Sequence, residues 1–168
     1  MGLSCVLTDN AAQFNRPNFP GCKHVHVFHE EIQLQDGVTK DIREIRVSEF
    51  PKRVSQDCQA QLILLDADAI KKKILALSQV YDEIFIILIS SALHPLFTVT
   101  SSVVKKLRGP ATIHLIDSLS LAIGEGRLVQ LAAELINQNK NSVTIEENLR
   151  SVIPHTYTLL CTPNFSYL

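Results

Sequence analysis

The sequence predicts an α/β fold: a mostly parallel sheet with helices on both faces, together with a small β-hairpin. Residues 84–89 are six consecutive apolar residues, mostly β-branched or aromatic, so this strand is expected to be covered on both faces. A short apolar run at residues 4–7 and a strand-like segment at residues 111–116 alternate along the chain with amphipathic helical patterns. Strands that alternate with helices form parallel sheets with helices on both faces.

Length and composition describe one globular domain over residues 1–168. Hydrophobic residues make up 46% of the 168 residues and charged residues 20%, which is enough for a core of its own. The formal net charge of −1 gives no field for nucleic acid or an anionic membrane, and no apolar run approaches a bilayer span. Four scattered cysteines and the absence of a signal-peptide pattern favour reduced thiols in a cytoplasm.

The first third of the chain predicts strands. Residues 4–7 form a buried strand that ends in the polar loop TDN at 8–10, and residues 24–29 alternate like a strand. The three histidines in that second strand lie near no cysteine or carboxylate motif, which favours surface or edge histidines over a metal site. Residues 32–35 alternate again and run into Asp36-Gly37, a hairpin turn signal.

Three helices are predicted around the central strand. Ser48 is a candidate N-cap for a helix to about Asp57, and Asp66 or Asp68 caps the next helix, whose apolar face opposes three lysines at 71–73. Between these two helices, residues 61–65 are mostly apolar where a polar loop is expected. The third helix follows the central strand and ends at Gly109-Pro110.

The loop between the central strand and the third helix carries two hydroxyls, Ser90 and Ser91. Pro95 suits the first turn of the helix that follows. In open parallel sheets, ligands bind at the carboxyl ends of strands, which favours a binding loop. The alternative is that both serines only cap the helix that starts near His94.

The last third predicts a strand and two helices. The strand at 111–116 ends in Asp117-Ser118, either of which caps a long helix that contains Gly124 and Gly126. Glycines inside a helix cost about 1 kcal/mol each relative to alanine, so they predict close approach of a backbone or a ligand. Ser142 or Thr144 begins the last helix, with a capping box between Thr144 and Glu147, and residues 156–161 form a last strand.

These motifs, in this order, resemble the DegV family of bacterial fatty-acid-binding proteins. The family opens with a strand and a TDS-type loop, which corresponds to VLTDN at 6–10. Its SSxLSGTY-type motif corresponds to SSALHPLF at 90–97, and its DS motif with a glycine-containing helix corresponds to residues 117–126. Its DTLEYL-like segment corresponds to CTPNFSYL at 161–168.

The resemblance implies a fatty-acid-binding protein. No nucleophile–base pair or metal set is visible in the sequence, so binding is favoured over the alternative of an enzyme, and no catalytic residue, cofactor or metal is predicted. In the family, one long-chain fatty acid lies between two domains, its carboxylate is held by hydroxyls of the N-terminal domain, and some members present the acid to a fatty-acid kinase. Ser90 or Ser91 would then donate to the carboxylate, and His94 could replace a missing hydroxyl. Further loop positions near the head group would be Thr8, Asp9, Asn10, Asp117, Ser118 and Gly124.

The sequence departs from the family pattern in three places. His94-Pro95-Leu96 replaces the SGT part of the serine motif, and no TSQP loop is present near residues 61–64. The chain also ends at Leu168, where the second domain would begin. These departures favour an alternative, a one-domain relative that acts as a protein-interaction or regulatory module. Uncovered apolar surface at residues 62–65 predicts a homodimer or another homo-oligomer.

Overall fold

A computed structural model describes residues 2–33, 39–41 and 61–159 of the chain. Four parallel strands form the main sheet: β1 (Ser4–Thr8), β2 (Val25–Val27), β6 (Glu83–Leu88) and β7 (Thr112–Asp117). Their order is β2-β1-β6-β7, with β6 between β1 and β7. The predicted α/β fold with a parallel sheet is confirmed, and the apolar run at 84–89 supplies an inner strand, which explains its apolar character on both faces.

Three short strands form a separate antiparallel sheet: β3 (Glu31–Gln33), β4 (Thr39–Asp41) and β5 (Gln61–Ile63), in the order β4-β3-β5. The antiparallel pairing of β3 with β4 agrees with the predicted hairpin, whose turn at Asp36-Gly37 lies outside the described residues. The predicted helix at 48–57 also lies outside them. Residues 61–63, where a polar loop was expected, form the third strand.

In the described part of the chain, four α-helices cover the main sheet: α1 (Ala67–Leu77), α2 (Leu96–Lys106), α3 (Ala122–Asn137) and α4 (Ser142–Val152). Successive side chains of β6 point to opposite faces of the sheet. On one face Ile84, Ile86 and Leu88 belong to the core that includes residues of α1 and α2. On the other face Phe85 and Ile87 belong to the core that includes residues of α3 and α4. None of the described helices is long and apolar enough to cross a membrane.

Of the predicted N-caps, that of α1 is confirmed and those of α3 and α4 are wrong. Asp66 caps α1 as expected, because its Oδ1 accepts a hydrogen bond of 2.7 Å from Ala69 N. The expectation that Asp117 or Ser118 caps α3 is wrong: Leu121 stands at the N-cap without a side-chain hydrogen bond. The predicted capping box of α4 is also wrong. Asn141 is the N-cap there, and its Oδ1 accepts from Thr144 N at 2.8 Å.

Two predicted strands are shorter or absent. Residues 22–24 form a short 3-10 helix, so the strand predicted at 24–29 is reduced to Val25–Val27, at one end of the main sheet. His26 contacts Tyr81 OH through Nε2 at 3.1 Å. Residues 156–159 are not a strand, and residues 160–168 lie outside the described part of the chain.

Candidate ligand site at the carboxyl edge of the sheet

The loops that follow β1, β6 and β7 meet at the carboxyl ends of these strands, which we call the carboxyl edge. Asp9 Oδ2 accepts a hydrogen bond of 2.9 Å from Ile89 N, which joins the first loop to the second. Ser90 N donates to Ser120 O at 2.9 Å, and Ser118 N donates to Leu88 O at 3.1 Å. The structure therefore brings the three predicted loops together, as the parallel sheet requires.

The two serines of the second loop have different environments. Ser90 is buried, and its Oγ accepts from Ala92 N at 3.3 Å. Ser91 is exposed, and its backbone N–H donates to Asp117 Oδ1 at 3.2 Å. The Ser91 hydroxyl has no hydrogen-bond partner among the residues that the structure describes. Neither serine caps α2, so the capping alternative does not account for them.

His94 accepts a backbone hydrogen bond at the start of α2, where the N-cap residue makes no side-chain hydrogen bond. Its Nδ1 lies 3.2 Å from Leu96 N, which donates to it. In the neutral ring Nδ1 is therefore the acceptor, and Nε2 carries the proton. Nε2 is buried without a hydrogen bond in the described part of the chain and lies 3.7 Å from Glu30 Oε1. Burial lowers the pKa of His94, and the nearby Asp9 opposes this change.

Three carboxyl groups, Asp9, Glu30 and Glu125, form what we call the acidic cluster. All three are nearly inaccessible to solvent, at 2%, 5% and 0% exposure. Glu125 Oε1 accepts a hydrogen bond of 3.0 Å from Thr8 Oγ1. Asp9 is held by backbone N–H groups, since Oδ1 accepts from Ala11 N at 2.7 Å and Oδ2 accepts from Ile89 N.

The acidic cluster is only partly ionised at neutral pH. Burial, together with the charge of Asp9, raises the pKa of Glu125 to about 9 and that of Glu30 to about 7. Burial also raises the pKa of Asp9, while the N–H groups of Ile89 and Ala11 counteract this shift. Glu125 therefore keeps its proton at neutral pH and stands beside Asp9 as a neutral carboxyl group.

Asn10 and Gly124 are two further positions predicted near the site, and Gly126 follows two residues later on α3. With its amide oriented to satisfy both groups, Asn10 accepts from Glu30 N at 2.9 Å and donates to Phe28 O at 3.3 Å. A Cβ at Gly126 would collide with the Gln13 carbonyl oxygen, and one at Gly124 would collide with Ser120 Oγ. The predicted close approach of a backbone is thus confirmed at Gly126.

Sequence reasoning did not identify Glu30 or Glu125 as site residues. Glu125 had a detectable signal, because it lies between two glycines, three residues before the buried Leu128 and on the same helix face. No sequence signal marked Glu30 as buried, because it lies in an irregular connection before β3 and its neighbour Glu31 is exposed. Within the described residues, no group of three or more His, Cys, Asp or Glu side chains is arranged to hold a metal.

Apolar side chains surround the polar loops of the carboxyl edge. Leu93, Leu119 and Ile123 are 57%, 63% and 54% exposed. A pocket of about 410 Å³ begins at Asp117 and Leu119 and continues along α4 to Ile153. A larger depression, about 620 Å³, lies at the opposite edge of the sheet near Asp82 and Lys140, away from these loops. The carboxyl edge thus combines a polar centre with apolar surroundings, as an amphiphilic ligand requires.

The comparisons with known proteins agree with this architecture. The family model described as "Uncharacterised protein, DegV family" matches residues 5–168. The chain belongs to the DegV family. No curated protein sequence matches the chain.

Several solved DegV structures share this fold. DegV from Bacillus subtilis, called a fatty acid binding protein, is 17% identical, with a TM-score of 0.79 over 92% of this chain and 55% of that one. A fatty-acid-binding DegV family protein from Thermus thermophilus is 16% identical, with a TM-score of 0.77 over 90% of this chain and 53% of that one. The Fatty Acid Kinase (Fak) B3 protein of Streptococcus pneumoniae, loaded with linoleic acid, is 14% identical, with a TM-score of 0.71 over 90% and 54%. The chain therefore spans about half the length of these proteins.

Proposed function

We propose that the chain binds a long-chain fatty acid at the carboxyl edge, with the head group at the loop that carries Ser90 and Ser91 and with Ser91 as its donor. The observation that carries the proposal is the exposed Ser91 hydroxyl, which has no partner among the described residues. It lies on a loop fixed by Asp117 and is followed two residues later by the exposed Leu93. Membership of the DegV family, and the names of solved members as fatty-acid-binding proteins, support fatty acid as the ligand class.

The site suits an amphiphile better than a small polar ligand. A serine hydroxyl can donate to a carboxylate, and a hydrogen bond to a charged group contributes about 1.5–3 kcal/mol. Leu93, Leu119 and the pocket along α4 offer apolar surface to the chain of the ligand. Burying that chain would contribute about 0.8 kcal/mol for each methylene group removed from water.

Binding without catalysis is part of the proposal. In the described part of the chain, no serine hydroxyl is hydrogen-bonded to a histidine. His94, the nearest histidine in sequence, directs Nδ1 to Leu96 N and Nε2 towards Glu30. A nucleophile needs a base within hydrogen-bond reach, and this arrangement does not offer one.

The proposal also covers a protein partner and the location of the protein in the cell. We infer that a fatty-acid kinase is a suitable partner, because one DegV structure of similar fold is a Fatty Acid Kinase (Fak) B3 protein. A cytoplasmic location and a bacterial source stay predictions from the sequence. The same holds for the division into domains, since the solved relatives are about twice as long.

The first experiment asks what the protein carries. Mass spectrometry of an organic extract of the purified chain should reveal a C16–C18 acid at about one per chain. Titration with oleate should then show saturable binding that the S90A/S91A double variant weakens roughly tenfold or more. A matched control is S102A, because Ser102 is exposed on α2 and its hydroxyl donates to Thr98 O within the same helix. Unchanged affinity in the double variant would place the head group elsewhere.

A protein-interaction module is the second candidate, favoured by the exposed apolar residues in and directly after strand β5. Leu62, Ile63 and Leu64 are 38%, 39% and 51% exposed, which is unusual for three successive large apolar residues. An extract without fatty acid and no saturable oleate binding, together with a partner that is lost in an L62S/L64S variant, would favour this candidate over lipid binding.

A further inference from the structure

Glu30 and His94 face each other across the carboxyl edge without a hydrogen bond between them. Glu30 Oε1 and His94 Nε2 are both buried, both lack a hydrogen-bond partner in the described part of the chain, and lie 3.7 Å apart. Buried polar atoms are rarely left without a partner, so two that face each other require an explanation. Glu30 lies directly before β3, and His94 lies on the loop that carries Ser90 and Ser91.

The geometry determines which groups can titrate between these two side chains. Because Leu96 N donates to Nδ1, the neutral ring keeps its proton on Nε2, directed at the carboxyl group. An ionised Glu30 accepts this proton as a hydrogen bond after a shift of less than 1 Å. A protonated Glu30 has no net charge to attract it. The ionisation of Glu30 therefore decides whether the His94 imidazole is fixed by a hydrogen bond to it.

We propose that Glu30 competes with the fatty-acid carboxylate for His94, so that the site takes up the anionic head group together with one proton. This inference rests on the proposed function and adds its regulation. An ionised Glu30 holds the Nε2 proton and repels a second anion near Ser91. A protonated Glu30 removes the repulsion and frees the imidazole to turn towards the ligand.

The other charged groups around this pair support a proton-linked site. Asp9 follows β1, and its charge adds to burial in raising the pKa of Glu30. Burial lowers the pKa of His94, and the charge of Asp9 raises it. Glu125, on α3, stays neutral at physiological pH and adds no charge. Burial and Asp9 place the pKa of Glu30 at about 7, so its proton is exchanged in the physiological range. A fatty-acid carboxylate is ionised throughout that range.

The binding test measures oleate affinity at pH 6 and pH 8 in the whole chain, below the concentration at which oleate aggregates. Wild type should bind roughly five- to tenfold more weakly at pH 8, because one proton must be taken up there. E30Q should bind at pH 8 about as tightly as wild type does at pH 6. H94A should bind weakly at both values. E31Q, an exposed neighbour on β3, is the matched control and should behave like wild type.

A second test needs no ligand. The ring carbon and proton signals of His94, followed by NMR in the ligand-free protein, should show a step near pH 7 that reports the ionisation of Glu30. This step should vanish in E30Q and persist in E31Q. An identical His94 titration in wild type and E30Q would overturn the proposal, as would equal pH dependence of oleate binding in the two proteins. If oleate fails to bind wild type at either pH while the NMR step is present, the proposed function fails and the coupling of the two side chains stands.

Discussion

The Thr8 hydroxyl donates a hydrogen bond of 3.0 Å to Oε1 of Glu125, a glutamate in the first turn of α3 with no solvent exposure. An ionised carboxylate in such a place would have a large desolvation cost, and the neighbouring Asp9 would increase it. Burial and Asp9 therefore raise the pKa of Glu125 to about 9. The neutral carboxyl group accepts from the Thr8 hydroxyl and so joins β1 to α3.

Replacement of Glu125 by glutamine should stabilise the protein at alkaline pH. The folded protein keeps a proton that the unfolded chain loses above pH 4.5, so this group lowers stability progressively as pH rises from about 4.5 to about 9. Glutamine can make the same hydrogen bonds and has no proton to lose. The free energy of unfolding of E125Q relative to wild type should rise by up to about 1.4 kcal/mol per pH unit between pH 5 and pH 8.

Urea denaturation at several pH values measures this difference. The control is E147Q, because Glu147 is exposed on α4. A constant difference between E125Q and wild type across this range would mean that Glu125 is ionised in the folded protein.

Gly126 should not tolerate a side chain. A Cβ there would collide with the carbonyl oxygen of Gln13, whose N–H donates to Ala122 O at 3.1 Å. Alanine would gain about 1 kcal/mol of helix propensity, but separating the loop from α3 costs more, so we expect a net loss of roughly 1–3 kcal/mol. Thermal or urea denaturation should show the loss in G126A. In the control G109A the new Cβ would meet Leu75 at an ordinary 3.6 Å, and stability should stay close to wild type.

The fold could be predicted because hydrophobic patterning determines which residues are buried. The unbroken apolar run at 84–89 required cover on both faces, and the structure provides it through two separate cores. The convergence of the loops at Thr8, Ser90 and Asp117 followed from parallel topology alone.

Helix caps and the acidic cluster depended on geometry that sequence does not contain. Several residues before a helix can serve as its N-cap, and only the path of the backbone selects Asn141 over Ser142. Asp117 is used instead to accept from Leu119 N and Ser91 N. Glu30 meets His94 across 64 residues of chain, a contact that no local pattern indicates.

Replacing Asn141, the N-cap of α4, should therefore lower stability more than replacing Thr144, the capping-box residue that the sequence indicated. N141A loses the 2.8 Å hydrogen bond from Thr144 N and should lose about 0.5–2 kcal/mol of stability. T144A keeps that bond, since only the backbone of Thr144 takes part in it. Chemical denaturation of both variants measures the difference, and equal losses would contradict the assignment of Asn141.

Self-association is expected to depend on the apolar residues in and directly after β5. Leu62 and Leu64 are more than one-third exposed, and a symmetric dimer is the commonest way to bury such a surface. Sedimentation velocity at tens of micromolar, on the order of cellular abundance, should show a dimer that L62S/L64S shifts towards monomer. V143S removes another exposed apolar side chain, 64% exposed on α4, and should leave the dimer intact. A clean wild-type monomer at that concentration would contradict this prediction.

The two serines of the binding loop should separate into one structural and one ligand-binding residue. Ser90 is 5% exposed and its Oγ accepts from Ala92 N, so S90A should lower stability by about 1 kcal/mol. Ser91 is exposed and its hydroxyl bonds to no described residue, so S91A should leave stability within about 0.5 kcal/mol of wild type. A hydrogen bond to a carboxylate contributes about 1.5–3 kcal/mol, hence S91A alone should weaken oleate binding roughly tenfold or more. Denaturation and oleate titration of both single variants test this division. If S90A weakens binding and S91A does not, the buried hydroxyl is the head-group donor, and the loop must open to admit the ligand.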